Sequence, residues 1–272
     1  MPPRIPGKTK TKRKKSDKKK SDPMTYCCGI LVRDGLVMIA DTRTNAGLDN
    51  VSTFRKLHVY TQPGDRVMAL ASSGNLSLSQ TVRSMLTEGI ENTETGELET
   101  LMNSPTMFQA AQRIGRAIRS IQDVEGKALE EAEVDHAVAF LFGGQIKGGR
   151  LRLFMIYSAG NFIECTTDTP YLQIGEHKYG KPVLDRAISF DTDLYDSLKI
   201  GLISMDSTMR SNLAVGLPID LLVVRPDTCT SEVNYRIDPG EPYFQDLRER
   251  WSTALRAAHI AIPRPPYRSS AL

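Results

Sequence analysis

Two apolar runs separated by a turn constrain this chain most. Thr25–Val32 (TYCCGILV) and Leu36–Ala40 (LVMIA) flank Arg33-Asp34-Gly35, a hairpin signal. A third strand is expected at Phe54–Tyr60. The turn Gln62-Pro63-Gly64-Asp65 and a fourth strand at Val67–Ser72 follow. Four strands packed so closely predict an antiparallel sheet. Helical spacing then takes over at Leu76–Leu86, and a polar loop is expected over Glu91–Glu99. A second helix opens at Pro105, with Ser104 as its expected cap and Phe108, Ala111, Ile114, Ile118 and Ile121 on one face. Strands return at Ala137–Phe142, Leu151–Tyr157, Phe162–Thr166 and Tyr171–Ile174. Helices are expected at Lys181–Ile188 and Leu194–Met209, a late strand at Ile219–Val224, and a last helix at Tyr243–His259. Segregated blocks of strands and helices predict an α+β fold, a four-layer α-β-β-α sandwich of two antiparallel sheets flanked by helices, in one domain over residues 25–262. Residues 263–272 read as a frayed tail.

In front of the first strand stands a segment of another kind. Residues 1–24 carry ten Lys/Arg and two Asp, a charge of +8, so against +3 for the whole chain the remainder sums to −5. This segment has too few apolar residues for a core. It reads as a solvated tail, a propeptide, or translated sequence upstream of the true start; a nucleic-acid-binding arm is the less favoured reading. Arg113, Arg116 and Arg119 are expected to form a solvated helix face. The polar run Asp206-Ser207-Thr208 reads as a surface patch, and Trp251 as a core or subunit-contact anchor. No apolar run is long enough to span a bilayer and no signal-peptide pattern is present, which points to the cytoplasm. Cys27, Cys28, Cys165 and Cys229 have no metal-binding spacing and read as free, buried thiols, with the first two on opposite strand faces.

Thr25 draws attention because Met24 precedes it. Removal of Met24, or a cut before Thr25 in a precursor, would give one residue both a hydroxyl and an α-amine. That amine ordinarily titrates at about 7.7–8.0 and could accept the hydroxyl proton without a histidine. Such a nucleophile needs a cation to tune the amine, a carboxylate to hold the cation, and backbone donors for an oxyanion. Asp41, Arg43 and Lys56 are candidates. A three-residue loop with Gly35 in a bulge would pair Val32 with Leu36, Cys27 with Asp41 and Thr25 with Arg43, placing Thr25, Asp41 and Arg43 on one face. A two-residue Asp34-Gly35 loop would turn Asp41 and Arg43 to the other face. The nucleophile reading therefore expects the bulge. On residues alone, plain turn chemistry at Asp41–Asn45 and a solvated Lys56 account for the same pattern.

The strings MTYCCGILVRDGLVMIADTRTNAG, FRKLH and YLQIGEHKYGKPVLDRAI resemble Anbu, the bacterial proteasome-related peptidase family, from Met24 to the last helix. The resemblance implies the N-terminal-nucleophile hydrolase fold, threonine-type cleavage of a peptide or amide substrate, and self-association into a ring or open spiral. It implies no cofactor and no membrane, makes nucleic acid an unlikely partner, and leaves any unfoldase partner open. It assigns Thr25 as nucleophile and base, Asp41 as the carboxylate fixing the lysine, Lys56 as the tuning cation, and Gly74 as an oxyanion donor, with Arg43 in the supporting set. Lys56 lies one residue nearer Asp41 than in classical proteasome β subunits. Where those subunits carry a Ser, this chain has Gly175-Glu176-His177. Where they carry an Asp and a Ser, it has Asn212 and Val215, so Glu176 and Asn212 are the candidates to substitute. A small-molecule amidase on the same fold, or a weakly active scaffold with a nucleic-acid-binding tail, are the alternatives. The loop His177-Lys178-Tyr179 reads equally as a binding loop or as cover for a sheet end.

Overall fold

The computed structural model describes residues 25–45, 51–93, 95–132 and 134–267. The expectations for residues 1–24 and for the end of the C-terminal tail fall outside them. The first sheet runs in the order β12-β1-β2-β13-β14, formed by Tyr171–Gly175, Tyr26–Val32, Gly35–Asp41, Ile219–Val224 and Val233–Ile237. The second runs β11-β10-β9-β6-β5, formed by Phe162–Glu164, Arg152–Ile156, Val138–Ile146, Arg66–Gly74 and Leu57–Gln62. Every neighbouring pair in both sheets is antiparallel. Two short ribbons, β3 (Arg43–Asn45) with β4 (Val51–Thr53) and β7 (Ile90–Glu91) with β8 (Leu98–Glu99), complete the strands among the described residues. The helices are α1 (Leu76–Glu88), α2 (Met107–Glu131), α3 (Lys181–Ala187), α4 (Leu194–Ser211) and α5 (Pro242–Ala261). Among the described residues no helix is long and apolar enough to cross a membrane.

Strand periodicity explains how the apolar residues divide. Along β2, Leu36, Met38 and Ala40 enter one buried cluster while Val37 and Ile39 enter another. The first cluster is filled from both sheets, with Val67, Ala69 and Ala71 of β6, Leu141 of β9 and Leu153 of β10 meeting β1, β2 and β13. The second packs the first sheet on Leu184 of α3, Leu202 and Met205 of α4, and Phe244 and Leu247 of α5. A third packs Met68, Phe140, Phe142 and Phe154 of the second sheet on α1 and α2. Cys27 and Cys28 lie in different clusters, and all four cysteines are free and buried. β2 has no exposed residue because both of its faces are covered.

Several local expectations need correction. The four early strands do not share one sheet: β1 and β2 belong to the first, β5 and β6 to the second. The first hairpin pairs Val32 with Gly35 and Cys27 with Ala40, so its connection is Arg33-Asp34 and the expected bulge is absent. Gly35 serves close packing: a Cβ there would come within 2.5 Å of the Val224 carbonyl and 2.8 Å of Leu194. Thr106, not Ser104, caps α2, its Oγ1 accepting from the Gln109 N–H at 3.1 Å. Ser104 is buried and accepts from Arg113 Nη1 at 2.9 Å, and Arg113 is itself buried rather than solvated. Asp206 and Thr208 are likewise fully buried. On α5, Leu247 is buried, Trp251 is half-buried and Leu255 is exposed.

Candidate active site

The antiparallel topology gathers the expected site residues at one end of the two sheets. Thr25 immediately precedes β1, and Asp41 ends β2, the strand beside it. Tyr26 pairs with Gly175, so the end of β12 and Glu176 lie next to Thr25. Asp41 pairs with Ile219, which brings the start of β13 and the preceding segment 212–218 to the same place. In the second sheet Lys56 precedes β5, and its carbonyl accepts from the Ser72 N–H near the end of β6. Cys27 Sγ lies 3.7 Å from the Ser72 carbonyl, so the two sheets meet there.

Asp41 is the hub. Its Oδ1 accepts from the Tyr26 N–H at 3.1 Å and from Lys56 Nζ at 2.9 Å, while Oδ2 accepts from the Arg43 N–H at 3.2 Å. Gly216 adds a further backbone donor. Lys56 also donates to the Arg43 carbonyl at 2.5 Å. Asp41 is fully buried and the Lys56 side chain is 5% exposed. Burial pushes the Asp41 carboxyl above its ordinary value, with Lys56 and the backbone donors pulling the other way. Burial also pushes the Cys27 thiol well up, and the charges of both Asp41 and Lys56 act on it. Cys27 and Thr25, two residues apart, share a side of the chain by strand alternation. The pair is therefore close to the face that Thr25 continues.

The missing bulge leaves Asp41 on the Tyr26 side of the ladder, not opposite Cys27 as expected. The contact with Lys56 survives because Asp41 is the last residue of its strand. Past the end of the ladder no further strand pair separates the two faces. Arg43 departs from the expectation in another way. Its guanidinium donates to the Leu213 carbonyl at 2.8 Å and stacks against Gly216, so only its main chain reaches Lys56. Thr42 reinforces this corner, its N–H and hydroxyl both donating to the Pro218 carbonyl.

Glu176 is attached to Thr25 through the backbone: its N–H donates to the Thr25 carbonyl at 2.6 Å. The approach is possible because Gly175 takes a left-handed φ of 80°; a Cβ there would fall 2.0 Å from the Thr25 oxygen. The Glu176 side chain is buried. Oε2 accepts from Asn212 Nδ2 at 3.3 Å and lies 3.6 Å from Lys178 Nζ. Asn212 Oδ1 accepts from the Ala214 N–H, and Val215 is buried in the apolar core. Gly74 sits at the end of β6, paired with Val138 and pressed on the Ala137 carbonyl, where a Cβ would fall 2.2 Å away. His177 turns its ring to the Gly175 carbonyl, and its own carbonyl accepts from the Lys181 N–H. This loop thus covers the sheet end and leads into α3. The groups that sequence reasoning missed are mostly main-chain ones, the Tyr26 and Gly216 donors and the Arg43 carbonyl, which leave no residue-type signature.

Among the described residues no three His, Cys, Asp or Glu side chains converge on a metal-sized site. A cavity of about 640 Å³ lies away from this end, between α2 and the β7–β8 ribbon. It is lined by Glu97, Glu99, Arg116 and Arg119 among others, and none of the expected site residues borders it.

Two antiparallel sheets with helices, and a buried Lys–Asp pair at the strand ends beside Thr25, define a protein of the proteasome-related, β-subunit-like class. The comparisons make this specific. The chain is 43% identical to Anbu (ancestral beta-subunit) from Yersinia bercovieri, covering 90% of this chain and 100% of that one at a TM-score of 0.82. Anbu from Hyphomicrobium sp. strain MC1 is 45% identical, over 89% of this chain and 100% of that one, at 0.81. Anbu from Pseudomonas aeruginosa, solved as a helical assembly, is 41% identical, over 89% and 98%, at 0.81. The chain belongs to the Anbu family. No protein-family model matches it, and no curated protein does.

Proposed function

We propose that this protein is a threonine-type peptidase on the four-layer N-terminal-nucleophile hydrolase fold, active once Thr25 is the first residue of its domain. The three buried clusters support the layer order helices, sheet, sheet, helices. The observation that carries the reading is a single oxygen: Asp41 Oδ1 holds both the Lys56 ammonium and the main-chain N–H of Tyr26, the residue after Thr25. The cation is thereby fixed to the strand that presents the nucleophile.

The chemistry follows from that geometry. The Lys56 ammonium lowers the proton affinity of a free Thr25 amine, so that it can be neutral near physiological pH. The amine removes the Thr25 hydroxyl proton as Oγ1 attacks a peptide carbonyl, and the oxyanion is received by main-chain donors, with Gly74 in that role. The amine then returns the proton to the leaving amine. An acyl-enzyme ester on Oγ1 remains, and water hydrolyses it with the amine again as base. Asp41 holds Lys56 in place. Arg43 and Asn212 act at one remove, by fixing segment 212–216 against the end of β2. Like the helical assembly of its Pseudomonas aeruginosa relative, the protein would act as an assembly of identical copies in the cytoplasm.

Protein released so that it begins at Thr25, verified by intact mass, tests this. A peptide β-lactone should form one adduct, mapped to Thr25, and Thr25→Ala should form none. A verified Thr25 terminus that forms no adduct and cleaves no peptide in a diverse library would refute the reading.

A further inference from the structure

One buried group has no use in the chemistry above. Glu176 Oε1 has no hydrogen-bond partner, although the residue is only 2% exposed. A buried carboxylate oxygen left unpaired is costly, and a native structure that keeps one needs a reason. Charge balance at the site supplies it. Asp41 is already matched by Lys56. Freeing the Thr25 nitrogen replaces a neutral amide with an ammonium and adds a second positive charge to the same enclosure. Glu176 is the carboxylate whose own N–H touches the Thr25 carbonyl. The turn that carries it is packed on Thr25 itself: a Cβ at the neighbouring Gly175 would lie 3.5 Å from Thr25 Cβ.

We propose that Glu176 is the counter-charge of the Thr25 α-ammonium, and that it sets the pH above which this amine becomes a base. The proposal rests on the reading that Thr25 becomes N-terminal. It makes the site a balance of two opposing charges: Lys56 favours the neutral amine and Glu176 favours the ammonium. The other charged and titratable groups around the amine are Cys27 from β1, Asp41 from β2, Arg43 from β3, and His177 and Lys178 from the loop after β12. Arg43 is turned to Leu213, and His177 to the Gly175 carbonyl. Lys178 competes for Glu176 from the solvent side at 3.6 Å.

The test titrates the amine itself and needs no turnover. Protein beginning at Thr25 and labelled with ¹⁵N-threonine is followed by NMR across pH, as parent, Glu176→Gln and Lys178→Met. Removing the anion should lower the amine pKa by about one pH unit. Removing the competing surface cation should raise it by a smaller amount. In Glu176→Gln the acid limb of β-lactone acylation should move down by the same amount, giving roughly tenfold faster acylation on the acid side. Lys178→Met changes an exposed side chain and provides the readout if Glu176→Gln does not fold. An amine pKa unchanged in both variants, or in Lys178→Met alone where the other is unfolded, overturns the proposal. A shifted pKa without any adduct would uphold this role while the peptidase reading fails. An adduct with an unshifted pKa would do the reverse.

Discussion

Asp41 and Asp206 are both fully buried carboxylates, yet the protein treats them differently. Asp41 faces one lysine that is itself sealed from solvent, with backbone N–H groups filling its remaining lone pairs. Asp206 faces two arginines, Arg210 of its own helix at 3.1 Å and Arg248 of α5 at 2.5 Å, whose side chains are 52% and 33% exposed. The second arrangement is a clamp between α4 and α5, with its cations still partly hydrated. The first takes both charges out of water, which adds little or nothing to stability for the desolvation it costs. Such a pair at the strand ends beside Thr25 fits the catalytic role proposed above better than a stabilising one.

Substitutions at the two sites should separate these roles. The largest effect is expected from Lys56→Met, which leaves Asp41 buried without its cation. It should cost about 3–5 kcal/mol of unfolding free energy and slow β-lactone acylation of Thr25 at least a hundredfold. At the other site, Asp206→Asn should cost about 2 kcal/mol through weakened charge-assisted hydrogen bonds. Its signature would be faster amide exchange in α5 with acylation unchanged. Arg248→Met should cost about 1 kcal/mol or less, because its ion pair is partly exposed. If Arg248→Met impaired acylation as much as Lys56→Met, the contrast between the sites would collapse.

A subtler difference is expected in pH dependence. Burial holds the Asp41 carboxyl above its ordinary value, so folding favours its protonated form. Stability from this group therefore falls as pH rises from the ordinary carboxylate value through the raised one. Asp41→Asn has no such titration. Its deficit relative to the parent should be widest at about pH 4 and narrow toward neutrality, as read from urea midpoints. A deficit that does not change with pH would mean that the pair stays ionised throughout. The smallest expected signal is chemical silence: burial pushes the Cys28 and Cys165 thiols up to about 12 and raises those of Cys27 and Cys229. The native protein should then react with a disulfide reagent far more slowly than the unfolded chain, leaving Thr25 as the site an electrophile finds.

Most of the architecture was legible from apolar periodicity, because strands and helices with two or three buried turns leave a regular imprint. β14 was missed: Val233–Ile237 alternates with Asn234, exposed Tyr235 and Arg236, and as an edge strand it buries too little to stand out. The Arg33–Gly35 hairpin was misread for a different reason. Its glycine suggested a turn, whereas Gly35 is required by the approach of Val224 and Leu194 from elements far along the chain. At the site, spacing made Asp41 and Lys56 candidates but fitted plain turn chemistry equally, and only the family resemblance chose between the two. The correct strand face did not follow, because a one-residue difference in register reverses it. Asp206 and Arg113 looked like surface charge since Arg248 and Glu99, which meet them, lie on other elements, and a single sequence does not show which elements will meet.

The bonds that hold the first strand start one residue beyond Thr25, at the Tyr26 N–H on Asp41, and the Thr25 carbonyl is secured from the far side by Glu176. Among the described residues no hydrogen bond of that scaffold uses the Thr25 nitrogen. Severing the chain just before it would remove no rung of the sheet, so the domain can acquire its shape first and its reactive amine afterwards. On the function proposed above, a dormant form would differ from an armed form by one peptide bond, and the moment at which Thr25 is freed, rather than the moment of folding, would decide when work begins.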